Sequence, residues 1–141
     1  MKIVVTADIH YGVGNNQHIV KSMAKRIIKT NADILILAGD TFHFQQQLLI
    51  DCLHLFDAFR GDKLFVEGNH DLWTNTSDSL VLYEKIIPKI VKQCGFHYLD
   101  QKPFMKGNVG FVGNIGWYDY SFRNYKKPIP DEYYKNKHWP A

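Results

Sequence analysis

Three short, almost continuously apolar runs constrain this chain more than any other feature. They are residues 2–5 (Lys-Ile-Val-Val), 33–38 (Asp-Ile-Leu-Ile-Leu-Ala) and 64–67 (Leu-Phe-Val-Glu). Runs this short, rich in branched side chains and without polar alternation, suit strands covered on both faces, and the first is expected to be a central strand. Between the first and second runs, Ile19, Val20, Met23, Ala24, Ile27 and Ile28 recur at spacings of three and four, which predicts an amphipathic helix over 17–30. A second helix is expected over 48–59, apolar on more than one side and ending at Arg60-Gly61-Asp62. Strand, helix, strand, helix, strand is the pattern of right-handed crossovers, so the expected class is α/β, a parallel or mixed sheet with flanking helices.

In such a sheet the loops that leave the carboxyl ends of the strands lie along one edge, where ligands bind. Each run is followed by side chains that can hold a cation or move a proton: Asp8 and His10 after the first, Gly39-Asp40 after the second, Gly68-Asn69-His70-Asp71 after the third. Although 32 positions lie from Asp8 to Asp40 and 29 from Asp40 to Asn69, the topology is expected to gather these groups at one rim. Asp8 and His10, two apart in a chain leaving a strand, are expected to point the same way. An oxygen and an imidazole suit manganese, iron or zinc better than magnesium or calcium. Asp40 has two oxygens and could bridge two ions, Asn69 offers a neutral carbonyl oxygen, and His70 could bind a metal or transfer a proton near neutral pH. Each group taken alone is more often turn or cap chemistry; it is the three together that point to a site.

Beyond Asp71, a helical pattern over 78–93 is interrupted by Pro88, which must kink or split it, and Cys94-Gly95 stops it. Short strands are expected at 96–99, 103–105 and 109–112. Several other polar residues are lesser candidates. His43, three after Asp40, could touch substrate or the metal rim, and Asp71 could orient His70. His18 and His54 read as surface or packing residues, His97 as structural and His138 as solvent-exposed. Arg123 and Lys126 could meet a phosphate, and the tyrosines and tryptophans from Trp117 to Trp139 could stack on a base or pack against further structure. Cys52 and Cys94 read as buried free thiols.

At 141 residues, with 45% hydrophobic and 22% charged residues, one globular domain over 1–141 is expected. No apolar run approaches the roughly 20 residues a bilayer demands, and the first ten residues lack the order of a secretory signal, so no membrane association and a cytoplasmic location are expected. The formal charge of +3 is concentrated beyond residue 100, with 7 basic and 3 acidic groups there against 10 and 11 before it. An excess this small does not indicate a nucleic-acid partner, although it is compatible with one.

Taken together, Asp8-Ile9-His10, Gly39-Asp40 and Gly68-Asn69-His70-Asp71 resemble the first three motifs of the calcineurin-like metallophosphoesterases. The resemblance implies a four-layer αββα sandwich of which this chain is the N-terminal portion. It implies that Asp8 and His10 hold a first divalent ion, Asp40 bridges to a second, and Asn69 holds the second, the ions being manganese, iron or zinc. His70 is then a proton donor to the leaving oxygen, and a hydroxide activated by the two ions attacks a phosphomonoester or phosphodiester. Gly113 to Tyr120 is similar to a segment of some bacterial members. The chain departs from the family where a later histidine and a Gly-His-x-His motif are usual, so the second ion is expected to be weakly held and turnover feeble. The missing part, or a second chain, is expected to cover an exposed apolar sheet face. Gly39-Asp40 continues as Thr41-Phe42-His43 rather than Asp-Arg-Gly, which argues against the serine/threonine protein phosphatases, whereas nucleases of the family share the Gly-Asn-His-Asp form. The alternative is a truncated or split non-catalytic fragment that binds metal or a partner.

Overall fold

A computed structural model of the chain describes residues 1–75, 78–116, 126 and 130. Four parallel strands, β1 (Ile3–Thr6), β2 (Ile34–Ala38), β3 (Asp62–Val66) and β4 (His97–Tyr98), form one sheet in the order β1-β2-β3-β4. Because that order follows the sequence, each crossover steps in the same direction, and a constant right-handed sense puts every connecting helix on the same face. Helices α1 (Gln17–Lys29), α2 (Gln46–His54) and α4 (Ile87–Gln93) meet that face, where Leu35, Leu37 and Phe65 pack with Val20, Ala24, Ile27, Leu49, Leu53, Ile87 and Val91. Each fully buried aliphatic side chain in this layer contributes about 1.5–3 kcal/mol.

The same order corrects the expectation for the first strand. Among the described residues β1 is an edge strand, not a central one, and it is covered by them on one face only: Ile3 and Val5 are 42% and 59% exposed. On that face they are registered with Ile34 and Ile36 of β2. An antiparallel hairpin, β5 (Phe104–Lys106) and β6 (Val109–Phe111), covers Ile34 and Leu64 with Phe104 and Phe111 and stops short of β1.

Local chemistry explains the other boundaries. The second helical segment ends at His54, and 55–59 continues in tighter turns in which Leu55, Phe56 and Asp57 donate to Cys52, Leu53 and His54 carbonyls. Pro88 splits the third pattern into α3 (Ser79–Val81), a wider π turn at Leu82–Ile86, and α4, where the proline sits in the first turn. The Glu84 carbonyl, which a proline four residues on cannot serve, accepts instead from the Gln101 side-chain amide at 3.5 Å. Cys52 and Cys94 are free and buried. Among the described residues, no helix is long and apolar enough to cross a membrane.

Candidate metal centre

The chain leaves β1 and β2 without losing their pairing. The backbone N–H groups of Asp8, His10 and Tyr11 donate to the carbonyls of Gly39 (3.1 Å), Asp40 (2.9 Å) and Thr41 (2.8 Å). The two loops therefore advance side by side beyond the sheet. Asp8, His10 and Asp40 do so with φ of 52°, 45° and 52°, in left-handed conformations that L-residues other than Asn and Asp enter reluctantly. Asp8 and His10 thus share a side through left-handed turns, not through the extended alternation the spacing suggested. The Asn16 side chain fixes the first loop: its amide donates to the Ile9 and His10 carbonyls at 3.0 and 3.1 Å, and its oxygen accepts from Gly12 N–H at 3.0 Å.

The third loop is pressed against the second. A Cβ on Gly68 would lie 2.2 Å from Asp40 Oδ1 and 2.5 Å from Asp40 N, and one on Gly39 would lie 3.2 Å from Gly68 Cα. These glycines therefore serve the close approach of two loops. Asp71, completely buried, locks them together: Oδ1 accepts from Thr41 N–H (2.7 Å) and Phe42 N–H (2.9 Å), and Oδ2 accepts from Gly68 N–H (2.9 Å). Desolvation pushes its carboxyl up to about 7, against the opposing pull of those three donors. The expected part for Asp71, orienting the neighbouring His70, is not what its hydrogen bonds do.

Above this lattice the side chains converge. Asp8, His10 and Asp40 place ligand atoms within 4.8 Å of one another, and so do His10, His43 and His70. His10 Nε2 lies 3.9 Å from Asp8 Oδ1, and its Nδ1 lies 2.6 Å from His43 Nε2. The His70 backbone N–H donates to Asp40 Oδ1 at 2.9 Å, while its ring meets those of Trp73 (centroids 3.8 Å apart) and His43 (4.5 Å), which lie 5.7 Å from each other. Burial, reinforced by His70 and His10, holds the His43 imidazole below its usual value. Asn69 is exposed at the start of the short turn His70–Leu72, and its side chain makes no cap to that turn. Beneath the third loop, burial raises the Glu67 carboxyl to about 7.

The residues fit a divalent cation. One exposed and one half-buried carboxylate flank a half-buried imidazole, an oxygen-plus-nitrogen set, and the bare Cα of Gly68 leaves Asp40 unobstructed where a Cβ would displace its carboxylate. His43 is the residue whose place the sequence indicated least. It sits three positions beyond Asp40 in a segment with no period to give its direction, and the left-handed Asp40 and Phe44 on either side turn it into the site.

Other candidates lie elsewhere. His18 and His54 are exposed, the latter 2.9 Å from Asp57 Oδ2. His97 on β4 meets the Lys102 carbonyl at 2.6 Å and packs on Phe104. Lys126 is exposed. His138, Arg123 and the aromatic residues from Trp117 to Trp139 lie outside the described residues.

A search of curated proteins found no match. Among solved structures, a Pseudomonas putida nuclease, MPE, is similar at 18% identity and a TM-score of 0.45, over 75% of this chain and 50% of that one, so this chain spans about half of that one's length. The family model described as calcineurin-like phosphoesterase matches residues 1–141. With the whole sequence covered by that model, the chain belongs to the calcineurin-like phosphoesterases.

Proposed function

We propose that this chain hydrolyses a phosphomonoester or phosphodiester with the help of divalent cations. In this reading Asp8 and His10 hold a first ion, Asp40 bridges, and Asn69 with Asp40 holds a second more weakly. The reading rests on the convergence of Asp8, His10 and Asp40, ligand atoms within 4.8 Å, with His70 anchored to the same Asp40. When bound, the ions supply Lewis acidity and a lowered pKa for water.

The protein's own groups supply orientation and proton transfer. Ring contacts with Trp73 and His43 limit rotation of the His70 ring, and the backbone bond to Asp40 fixes where that ring starts. An imidazole so held can deliver a proton to the leaving oxygen, a contribution of about 10²–10⁴ in rate. Asp8, with its side chain 76% exposed, leaves the rim open to a phosphate approaching from solvent.

The test is hydrolysis of a bis-aryl phosphate by the full chain with added Mn²⁺. The reading predicts metal-dependent turnover that Asp40→Ala abolishes and that His70→Ala lowers by about 10²–10⁴. Turnover indifferent to metal, or unchanged in Asp40→Ala, would contradict it. A second reading, a non-catalytic unit that binds a partner, is favoured by the exposed apolar pair Ile3 and Val5. It predicts metal binding without turnover, and partner affinity that Asp40→Ala leaves unchanged.

A further inference from the structure

His10 presents its two ring nitrogens to two chemically different sets of groups. Nε2 faces the carboxylate side, 3.9 Å from Asp8 Oδ1. Nδ1 faces the imidazole side, 2.6 Å from His43 Nε2, with the His70 ring centroid 4.9 Å from that of His10 and 4.5 Å from that of His43. The three histidines come from three different loops, all are half-buried, and each offers a ligand atom within 4.8 Å of the others. Nδ1 of His70 is buried and has no hydrogen-bond partner among the described residues. A buried nitrogen left in that state, beside two further imidazoles, marks a place where an ion or water completes the arrangement.

We infer that His10, His43 and His70 form an imidazole-only cation site that takes zinc in preference to manganese. Three imidazoles and one water make a four-coordinate zinc shell, whereas carboxylate and water oxygens suit manganese. Occupation requires a small adjustment. His10 Nδ1 and His43 Nε2 must separate from 2.6 Å to roughly 3.3 Å, the edge of a tetrahedron with Zn–N near 2.0–2.1 Å. A neutral imidazole has one lone pair for coordination, its other nitrogen carrying the proton. His10 therefore serves one set at a time. Zinc on the imidazole side removes His10 from the carboxylate side, so the two cations compete although their other ligands differ. On the phosphoesterase reading, zinc also engages His70 and so silences hydrolysis. The binding itself does not depend on that reading.

X-ray absorption at the zinc edge of the full chain, loaded with a single equivalent of Zn²⁺, counts the imidazoles directly. Three imidazoles are expected; one imidazole with carboxylate oxygens, or no retained zinc, would overturn the proposal. In equilibrium titrations, His43→Ala is expected to weaken Zn²⁺ by roughly 100-fold, at the upper end of what even a supporting contact contributes to a metal site, and Mn²⁺ far less. Asp8→Asn is expected to do the reverse. Zinc affinity that falls in Asp8→Asn and survives in His43→Ala would also overturn it. Absence of phosphoester turnover with Mn²⁺ would instead count against the phosphoesterase reading and leave the zinc coordination result standing.

Discussion

The backbone N–H of His70 donates to Oδ1 of Asp40 at 2.9 Å, so the residue proposed to bridge two cations also holds the proposed proton donor in place. The two functions of Asp40 separate on substitution. Asp40→Asn keeps a carbonyl oxygen for the His70 amide but loses the charge, whereas Asp40→Ala loses both. The expected outcome is that both variants lose Mn²⁺ affinity, while only Asp40→Ala also loses stability, by about 1–3 kcal/mol for an N–H left without its partner. Denaturant titration of the two metal-free variants distinguishes these effects. Equal stability would show that the bond contributes nothing.

Asp71 ties the second loop to the third through three backbone N–H groups. Asp71→Ala orphans all of them and is expected to cost at least about 3 kcal/mol. Asp71→Asn places an amide N–H₂ against at least one of those donors whichever way it turns, and is also expected to destabilise, by about 1–3 kcal/mol. A change in unfolding free energy below about 0.5 kcal/mol for either variant would contradict the locking role.

Gly68 has no room for a methyl group, since a Cβ would sit 2.5 Å from a backbone nitrogen that no side-chain rotation can move. Gly68→Ala is expected to cost about 1–3 kcal/mol and to weaken cation binding together with stability, because the clash falls on Asp40. By contrast Gly14, with nothing within 4 Å of its Cβ position, meets no such contact; its φ of 58° makes any cost of Gly14→Ala one of backbone strain alone, with cation binding intact.

Acid sensitivity has an identifiable source at the other end of the sheet. The Lys2 backbone N–H, 2.6 Å from Asp33 Oδ2, holds that carboxyl below its ordinary value, helped by the terminal amine and Lys106. A lowered folded-state value contributes stability that is present above the unfolded-state value, about pH 4, and is lost as pH falls through the folded one. Thermal unfolding followed through the acid range should therefore show a steeper loss in the wild type than in Asp33→Asn. Parallel curves would exclude Asp33 as a contributor.

What the sequence made legible was the part governed by local periodicity. Apolar runs ending in Asp8, Asp40 and Asn69-His70 marked three strand ends, and parallel topology required them to share a margin. Neighbour order is a different matter, because an apolar run carries no record of what lies beside it. β1 looked central for that reason, and among the described residues it lies at the edge with Ile3 and Val5 exposed. Long-range backbone pairing was equally hidden. Asp71 turns away from His70 to accept from a loop 29 and 30 residues earlier, and the direction of His43 depends on left-handed turns at Asp40 and Phe44.

The central claim is that loops distant in sequence share one cation. Substoichiometric Mn²⁺ added to isotope-labelled protein tests it, because a paramagnetic ion broadens the resonances of residues around it. The account predicts that Asp8, His10, Asp40, Asn69 and His70 broaden together at the lowest Mn²⁺ level, with His18, His54 and His97 unaffected. Broadening confined to one loop, or centred on residues away from that margin, would contradict it.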